Sequence, residues 1–286
     1  MNYSLSLTIN QRELIEEMYL AYQLEAKIKN VVFRALKDDV TITLYTNNNL
    51  FLEGPYKNEL KRIKERLGLR DFSAIGSDEV GTGDLFGPIV VCSTFVPKEM
   101  IETLEDLGVK DSKTMTDKKI IELAPKITKL IQHSVLILKP EKYNAMTRKG
   151  YNMNKIKAFL HNQAILLTTE KVEEDVPVIL DQFCEPRIYY DYLKDENKIY
   201  DKISFYTKAE SVHIAVAAAS IIARYAFLAK MQQFSRTIGF KLAFGAGEIV
   251  DKQLMRIYRN KGYDALRPIA KLNFKNIKKN NIVPHL

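Results

Sequence analysis

Two adjacent carboxylates that run into a glycine-rich segment are the residues best suited to chemistry. Asp78 and Glu79 begin the run Asp-Glu-Val-Gly-Thr-Gly-Asp-Leu-Phe-Gly-Pro, in which Gly81 and Gly83 leave the backbone amides open to a ligand. Carboxylate oxygens are ligands that suit Mg²⁺ and Mn²⁺. The segment indicates a divalent-metal site beside a loop that a phosphate backbone can approach. Taken alone, an Asp-Glu pair before glycines is more often a strand that ends in a solvated turn, so the metal site needs further carboxylates.

Two further acids stand where we expect secondary-structure elements to end. The apolar run 176–180 predicts a buried strand that stops at Asp181, and Glu210 directly precedes a long apolar helix. We expect both to join Asp78 and Glu79 at one edge of a sheet. Because neighbouring strand residues point to opposite faces, this requires the strand to bend or end at the Asp-Glu pair. Four carboxylates suit two-metal phosphodiester hydrolysis, which needs no covalent nucleophile.

Other kinds of active site fail on spacing. Gly76 and Gly81 have the glycine spacing of a P-loop, but Thr82 stands where a lysine is required. The third glycine of a dinucleotide-binding fingerprint arrives one residue late. The histidines have no zinc-binding spacing, and the two cysteines cannot complete such a site. His213, three residues after Glu210, remains a minor candidate for the site.

The elements that must position these residues form two predicted domains, 1–67 and 68–286. In the first, the order strand, helix, three strands, helix predicts a small α+β unit with an antiparallel sheet, and Asn10 is the expected cap of its first helix. In the second, strands alternate with helices, which predicts a mixed α/β sheet. The predicted strands of this domain cover 74–79, 87–96, 133–139, 176–181 and 203–207, and the predicted helices cover 98–107, 116–131, 154–172 and 212–234.

Composition and charge favour a polyanionic partner. The 286 residues are 46% hydrophobic and 27% charged, as in an ordinary globular protein, with a net charge of +8. Residues 252–286 contain nine lysines and arginines with Asp264 as the single acid, and aromatic rings are interspersed, a mixture that suits nucleic acid. No run reaches the roughly 18 apolar residues of a membrane span. We expect a cytoplasmic protein that has no membrane contact.

Several of these motifs together resemble one bacterial family, ribonuclease HIII. The segments that carry the resemblance follow one another along the predicted second domain, and the preceding unit is similar to the TATA-binding-protein-like half repeat of this family. The matching segments are Asp78 to Pro88, Val109 to Lys113, Asn152 to Asn162 and Ala217 to Ala223. The resemblance implies an RNase H-like mixed sheet flanked by helices, behind the small N-terminal domain.

The resemblance also implies an activity. The expected reaction is metal-dependent endonucleolytic cleavage of the RNA strand of RNA–DNA hybrids, which leaves 5′-phosphate and 3′-hydroxyl ends. We expect a monomer with no obligate protein partner and with Mg²⁺ or Mn²⁺ as cofactor. The four acids of the family fall on Asp78, Glu79, Asp181 and Glu210.

Given this resemblance, two groups of residues are expected to bind substrate. The backbone amides of Gly81, Thr82 and Gly83 are predicted to read the ribose 2′-hydroxyl, which distinguishes RNA from DNA. Phosphate contacts are predicted for Lys110, Ser112 and Lys113. Related type 2 enzymes have an arginine where this chain has Thr82, so we do not expect efficient cutting at a single embedded ribonucleotide.

Two other functions fit part of the sequence. A DNA resolvase would use a similar fold and acidic site on a different substrate. A nucleic-acid-binding module with an inactive site would retain the basic C-terminal segment, but four acids at expected element ends argue against it.

Overall fold

A computed structural model of the chain describes residues 2–25, 28–67, 72–109 and 115–284. Its packing divides the chain into two compact units, residues 1–72 and 73–286. The division falls shortly after residue 67, where the sequence predicts the domain boundary. The predicted phosphate contacts Lys110, Ser112 and Lys113 lie outside the described residues.

The first unit is a four-stranded antiparallel sheet with two helices. Its elements are β1 (Asn2–Ser6), α1 (Ile9–Tyr19), β2 (Val31–Lys37), β3 (Val40–Tyr45), β4 (Asn49–Glu53) and α2 (Lys57–Arg66), and the strand order is β1-β4-β3-β2. Alternate strand residues such as Ile42 and Leu52 are buried with Ile15 of α1 and Ile63 of α2. On β2, Val32 and Leu36 remain 43% and 46% exposed. The predicted α+β architecture is confirmed.

The first helix begins two residues earlier than the sequence analysis predicts. Thr8, not Asn10, is the N-cap, because the Thr8 hydroxyl accepts from the Gln11 amide at 3.2 Å while the Gln11 side chain accepts from the Thr8 amide at 3.0 Å. These reciprocal bonds form a capping box. The Asn10 prediction was wrong because a helix is capped by the residue just before its first turn, and Asn10 lies within that turn.

The second unit contains five strands and eight helices within its described residues. The strands are β5 (Ala74–Val80), β6 (Ile89–Val96), β7 (Gln132–Leu138), β8 (Val178–Asp181) and β9 (Ile203–Tyr206). The helices are α3 (Ile101–Asp106), α4 (Asp117–Leu130), α5 (Pro140–Arg148), α6 (Met153–Thr169), α7 (Pro186–Leu193), α8 (Ile214–Ile238), α9 (Glu248–Lys261) and α10 (Lys275–Lys279). The helices α5, α7, α9 and α10 have no counterpart among the sequence-based predictions.

The strands form one mixed sheet with β5 at its centre. The order is β7-β6-β5-β8-β9, in which β5 pairs antiparallel to β6 and parallel to β8. Alternation along β6 defines two faces, since Val90 and Cys92 join the core that includes α4 and α8, whereas Ile89 and Val91 pack with α5 and α6. The predicted mixed α/β sheet with helices on both faces is confirmed.

Helix α8 lies unusually close to β5. A methyl group at Gly76 would lie 2.3 Å from the Val216 amide nitrogen, so only glycine fits there. Among the described residues α8 is also long and apolar enough to cross a membrane by length and composition, but 61% of its most apolar window is buried. We interpret α8 as the core helix of this unit.

The capping box gives a paired stability prediction. Thr8→Ala removes the side-chain acceptor of the Gln11 amide, and we expect it to lower the free energy of unfolding by about 1 kcal/mol. Asn10→Ala is the matched control, because it changes a polar residue two positions away that does not cap the helix. Urea unfolding followed by circular dichroism measures both. Equal losses for the two variants would contradict the assignment of Thr8 as the cap.

Candidate active site

The structure places Asp78 and Asp181 on the same face of the sheet. Ser77 of β5 lies opposite Leu180 of β8 in the parallel ladder, so the next residues along the two strands are these two acids. Residues in register point to one face, and here it is the face covered by α8. Asp78 is only 8% exposed and accepts a hydrogen bond from the Ser220 hydroxyl of α8.

Glu79 points to the other face of the strand. Its two carboxylate oxygens contact two residues of α6, Lys157 by a short ion pair and His161 through Nε2 at 2.9 Å. The Lys157 ammonium also lies 4.0 Å from the centre of the Phe183 ring. The predicted bend at the acid pair is wrong, because β5 continues in register with β6 as far as Val80.

Hydrogen bonds on both sides hold the His161 ring in place. The Ser77 hydroxyl bonds to the Cys92 carbonyl oxygen at 3.0 Å and to His161 Nδ1 at 2.8 Å. The other ring nitrogen, Nε2, faces a Glu79 oxygen at 2.9 Å. His161 is therefore oriented by Ser77 so that Nε2 meets the Glu79 carboxylate.

The two adjacent acids therefore have opposite electrostatic environments. Burial and the neighbouring Glu79 carboxylate raise the pKa of Asp78 above its usual range, Asp181 adds to this rise, and Ser220 opposes it. Burial alone would raise the pKa of Glu79, but His161 and Lys157 hold it below its usual range. The negative charge of Glu79 is compensated by protein groups, whereas the environment of Asp78 is one that a divalent cation would relieve.

Glu210 lies within a turn that is fixed by Asp181. The Asp181 Oδ1 accepts a hydrogen bond of 2.9 Å from the Ala209 amide, which begins a 3₁₀ turn, Ala209–Ser211. Lys208 enters this turn in the left-handed conformation with φ of 57°. Glu210 is thus the neighbour in sequence of a residue bonded to Asp181, and its side chain is half-buried.

The oxygen donors fit a hard divalent cation, but they do not form a complete cage. In the part of the chain that the structure describes, no three His, Cys, Asp or Glu residues lie close enough together to hold a metal ion. Asp78 and Asp181 are the pair that shares a face. Glu79 would have to exchange Lys157 for the cation before its Oε1 could bind one.

The glycine loop after β5 has one glycine that the fold requires and one that it does not. Gly81 has φ of +96°, and a methyl group there would lie 2.2 Å from the Pro88 carbonyl oxygen. A methyl group at Gly83, which is exposed, would contact nothing within 4 Å. The fold explains Gly81, whereas the open position of Gly83 leaves room for a ligand. Thr82 between them is half-buried.

The structure also shows residues that the sequence analysis missed or undervalued. Lys157 and Ser220 are not among the predicted site residues, and His161 is one of the histidines that have no zinc-binding spacing. The available signal was the four-residue spacing of Lys157 and His161, which places both on one face of a helix. His213 has a structural role, since its Nδ1 accepts from the Ala215 amide at 3.1 Å and caps α8.

Comparison with known proteins agrees with this geometry. The family described as Ribonuclease HII matches residues 75–277. Ribonuclease HIII of Phytoplasma mali is 49% identical over 281 residues, which cover 97% of this chain and 98% of that protein. Ribonuclease HIII of Bacillus subtilis is 40% identical over 293 residues, 93% of each chain. The crystal structure of Bst-RNase HIII in complex with Mn²⁺ has a TM-score of 0.75 and 36% identity, with 98% of each chain covered.

The mixed sheet and the match to Bst-RNase HIII define a metal-dependent nuclease of the ribonuclease H class, and the expected RNase H-like fold is confirmed. With this identity over nearly the full length, the chain belongs to the ribonuclease HIII family. It is an endoribonuclease that acts on the RNA strand of RNA–DNA hybrids with a divalent metal ion. Family membership sets aside the resolvase and the inactive binding module.

The two glycines give a paired prediction. Gly83→Ala should leave the melting temperature unchanged but weaken hybrid binding about tenfold, because the new methyl group occupies space that the substrate needs. Gly81→Ala should instead destabilise the fold by about 1 to 3 kcal/mol through its positive φ and the Pro88 clash. Thermal unfolding and hybrid binding without divalent cation measure the two effects. Unchanged affinity in a folded Gly83→Ala protein would show that the loop does not touch the hybrid.

Proposed function

We propose that this chain hydrolyses the RNA strand by a two-metal mechanism that leaves 5′-phosphate and 3′-hydroxyl ends. The observation that carries the proposal is the shared face of Asp78 and Asp181, two oxygen donors near the carboxyl ends of neighbouring parallel strands. Open α/β sheets bind ligands at the carboxyl ends of such strands. In a two-metal site, bound cations activate water and stabilise the leaving oxygen of an in-line displacement.

The four acids have different roles in this proposal. Asp78, which is the most buried of the four acids, would bridge the cations, with Asp181 as its partner on the same face. Glu79 would complete the coordination from the opposite face. Glu210 would orient water or hold the second ion loosely, because its 3₁₀ turn is bonded to Asp181 through the Ala209 amide.

Lys157 and His161 keep Glu79 ionised and in place. Their bonds to its two oxygens prevent a buried carboxylate from taking up a proton, which would make it a poor metal ligand. Lys157 has a flexible stem, and its ammonium can move to a substrate phosphate when Glu79 binds a cation. His161 is anchored by Ser77 and stacks on Phe183, so it holds the other oxygen.

Recognition of RNA would come from the glycine loop. The backbone amides of Gly81, Thr82 and Gly83 are positioned after the strand that carries Asp78 and Glu79, and the open side of Gly83 permits close approach of a ribose. The 2′-hydroxyl both donates and accepts hydrogen bonds, so backbone groups can select RNA without reading the base sequence. We further propose that the protein acts in the cytoplasm as a monomer.

The first prediction from this mechanism concerns Asp78. Asp78→Asn keeps the shape of the side chain but removes its charge, and we expect hybrid cleavage to fall at least about a thousandfold with little change in hybrid binding. Asp191→Asn is the matched control, since Asp191 is an exposed acid of α7 that pairs only with the nearby Lys194 among its described ion pairs. Single-turnover cleavage and binding assays measure both variants.

Metal binding provides a second readout for the same pair of variants. Mn²⁺ should raise the melting temperature of the wild-type chain and of Asp191→Asn, because a ligand that binds only the folded state stabilises it. The shift should be lost in Asp78→Asn. Wild-type turnover or an unchanged Mn²⁺ shift in Asp78→Asn would refute the assignment of Asp78 as the central ligand.

The chemistry of the products is a separate prediction. Attack by water on phosphorus with departure of the 3′ oxygen leaves a 5′-phosphate on the downstream fragment, whereas attack by the 2′-hydroxyl would leave a 2′,3′-cyclic phosphate. We expect the downstream fragment to be joined by a ligase without prior phosphorylation. Mass spectrometry of the fragments checks the assignment, and cyclic phosphate ends would exclude water as the nucleophile.

A further inference from the structure

A fully buried lysine contacts the far end of the glycine loop. Lys271 is 0% exposed, and its amine donates hydrogen bonds to the carbonyl oxygens of Asp84 at 2.7 Å and Gly87 at 2.8 Å. Asp84 follows the segment Gly81–Gly83 directly in the chain, and Gly87 comes three residues after Asp84. Lys271 lies almost two hundred residues further along, after the last long helix.

Burial of this amine is unfavourable, and its partners do not need its charge. Burial lowers the pKa of Lys271 to about 7, and the Asp84 carboxylate opposes this shift. A protonated amine has three N–H donors and a neutral amine has two, so both carbonyl oxygens are satisfied in either state. The contribution of Lys271 is therefore the direction of its N–H groups, which an apolar side chain of equal volume would lack.

The same loop is attached to the C-terminal region by backbone bonds. The Gly87 amide donates to the Ile269 carbonyl at 2.8 Å, and the Lys271 amide donates to the Leu85 carbonyl at 2.9 Å. In addition, the Gly245 amide donates to the Asp84 carboxylate at 2.5 Å. Two segments distant in sequence thus form the support on which the loop rests.

We propose that Lys271 is a positioning residue that sets the orientation of the Gly81–Gly83 amides and thereby the preference for RNA over DNA. This inference rests on the proposed role of the loop amides in reading the 2′-hydroxyl. The β5 ladder fixes the loop where it begins, and Lys271 fixes the peptide groups where it ends. Gly83 lies between these points with no contact within 4 Å of its missing methyl group.

The physical reason is the geometry of hydrogen bonds. An N–H bond weakens steeply when its angle falls below about 120° or its length exceeds about 3.2 Å. A loop held at both ends keeps its amides within these limits, whereas a loop released at Asp84 and Gly87 samples orientations that fail them. The loss of binding free energy should affect the hydrogen bonds to the 2′-hydroxyl, which only RNA has. Contacts to phosphate groups should be spared, because they tolerate displacement.

The test compares hybrid with duplex DNA of the same sequence. Lys271→Met removes both donors at similar volume, and we expect the preference for hybrid over DNA, measured without divalent cation, to fall about tenfold. Affinity for DNA should change little, and in cleavage the KM for hybrid should rise more than kcat falls. Leu254→Ala is the control, because it removes buried volume from α9 in the same core but takes away none of the hydrogen bonds to the loop. A merely structural loss lowers the folded fraction in both variants but leaves KM and the preference unchanged.

A second variant decides the question if Lys271→Met does not fold. Asp84→Ala removes the carboxylate bonded to Gly245 at a half-buried position, and it should lower the preference in the same direction by a smaller factor. Preference retained in folded Lys271→Met would overturn the positioning role. Where Lys271→Met does not fold, preference retained in Asp84→Ala would overturn the premise that the support at the end of the loop sets the preference. A wild-type chain with no preference for hybrid would instead refute the proposed role of the loop amides.

Discussion

Alternation along one strand is the constraint on which the site depends. Asp78 and Glu79 are consecutive residues of β5, and the strand stays in register with β6 through Val80, so their side chains must leave from opposite faces of the sheet. One acid faces α8 and the other faces α6. A central strand with a helix on each side can therefore give two neighbouring carboxylates separate environments, and each helix contributes the groups that suit its own acid.

The difference between those environments explains how a site can be both buried and ready for a cation. Lys157 and His161 compensate Glu79, so that this carboxylate keeps its charge in a buried position. Within the described residues, Asp78 accepts hydrogen bonds from the Ser220 hydroxyl and the Glu79 backbone amide, while Asp181 adds negative charge on the same face. The resulting excess of negative charge favours a divalent cation at Asp78. The close approach of α8 at Gly76 is what brings Ser220 within reach.

The loop that follows the acids depends on residues far away in sequence. Gly81 meets the Pro88 carbonyl within its own turn, but Asp84 and Gly87 are held by Lys271, and Gly245 binds the Asp84 carboxylate. The basic C-terminal region, which the sequence identifies by its charge, thus also has a structural function inside the catalytic unit. Its helix α9 was not predicted, because the segment was interpreted through its charge and not through its apolar period.

Local pattern was enough to predict the strands from β5 to β9, because strand periodicity and apolar runs are properties of neighbouring residues. The same local chemistry also contained the Thr8 capping box, which was overlooked. Only the tertiary structure decided that Asp78 and Glu79 face different helices, that Lys157 and Ser220 are their partners, and that Lys271 holds the loop. The paired residues are separated by between 78 and 187 positions in the sequence. No spacing along the chain encodes which side chains meet across such a distance.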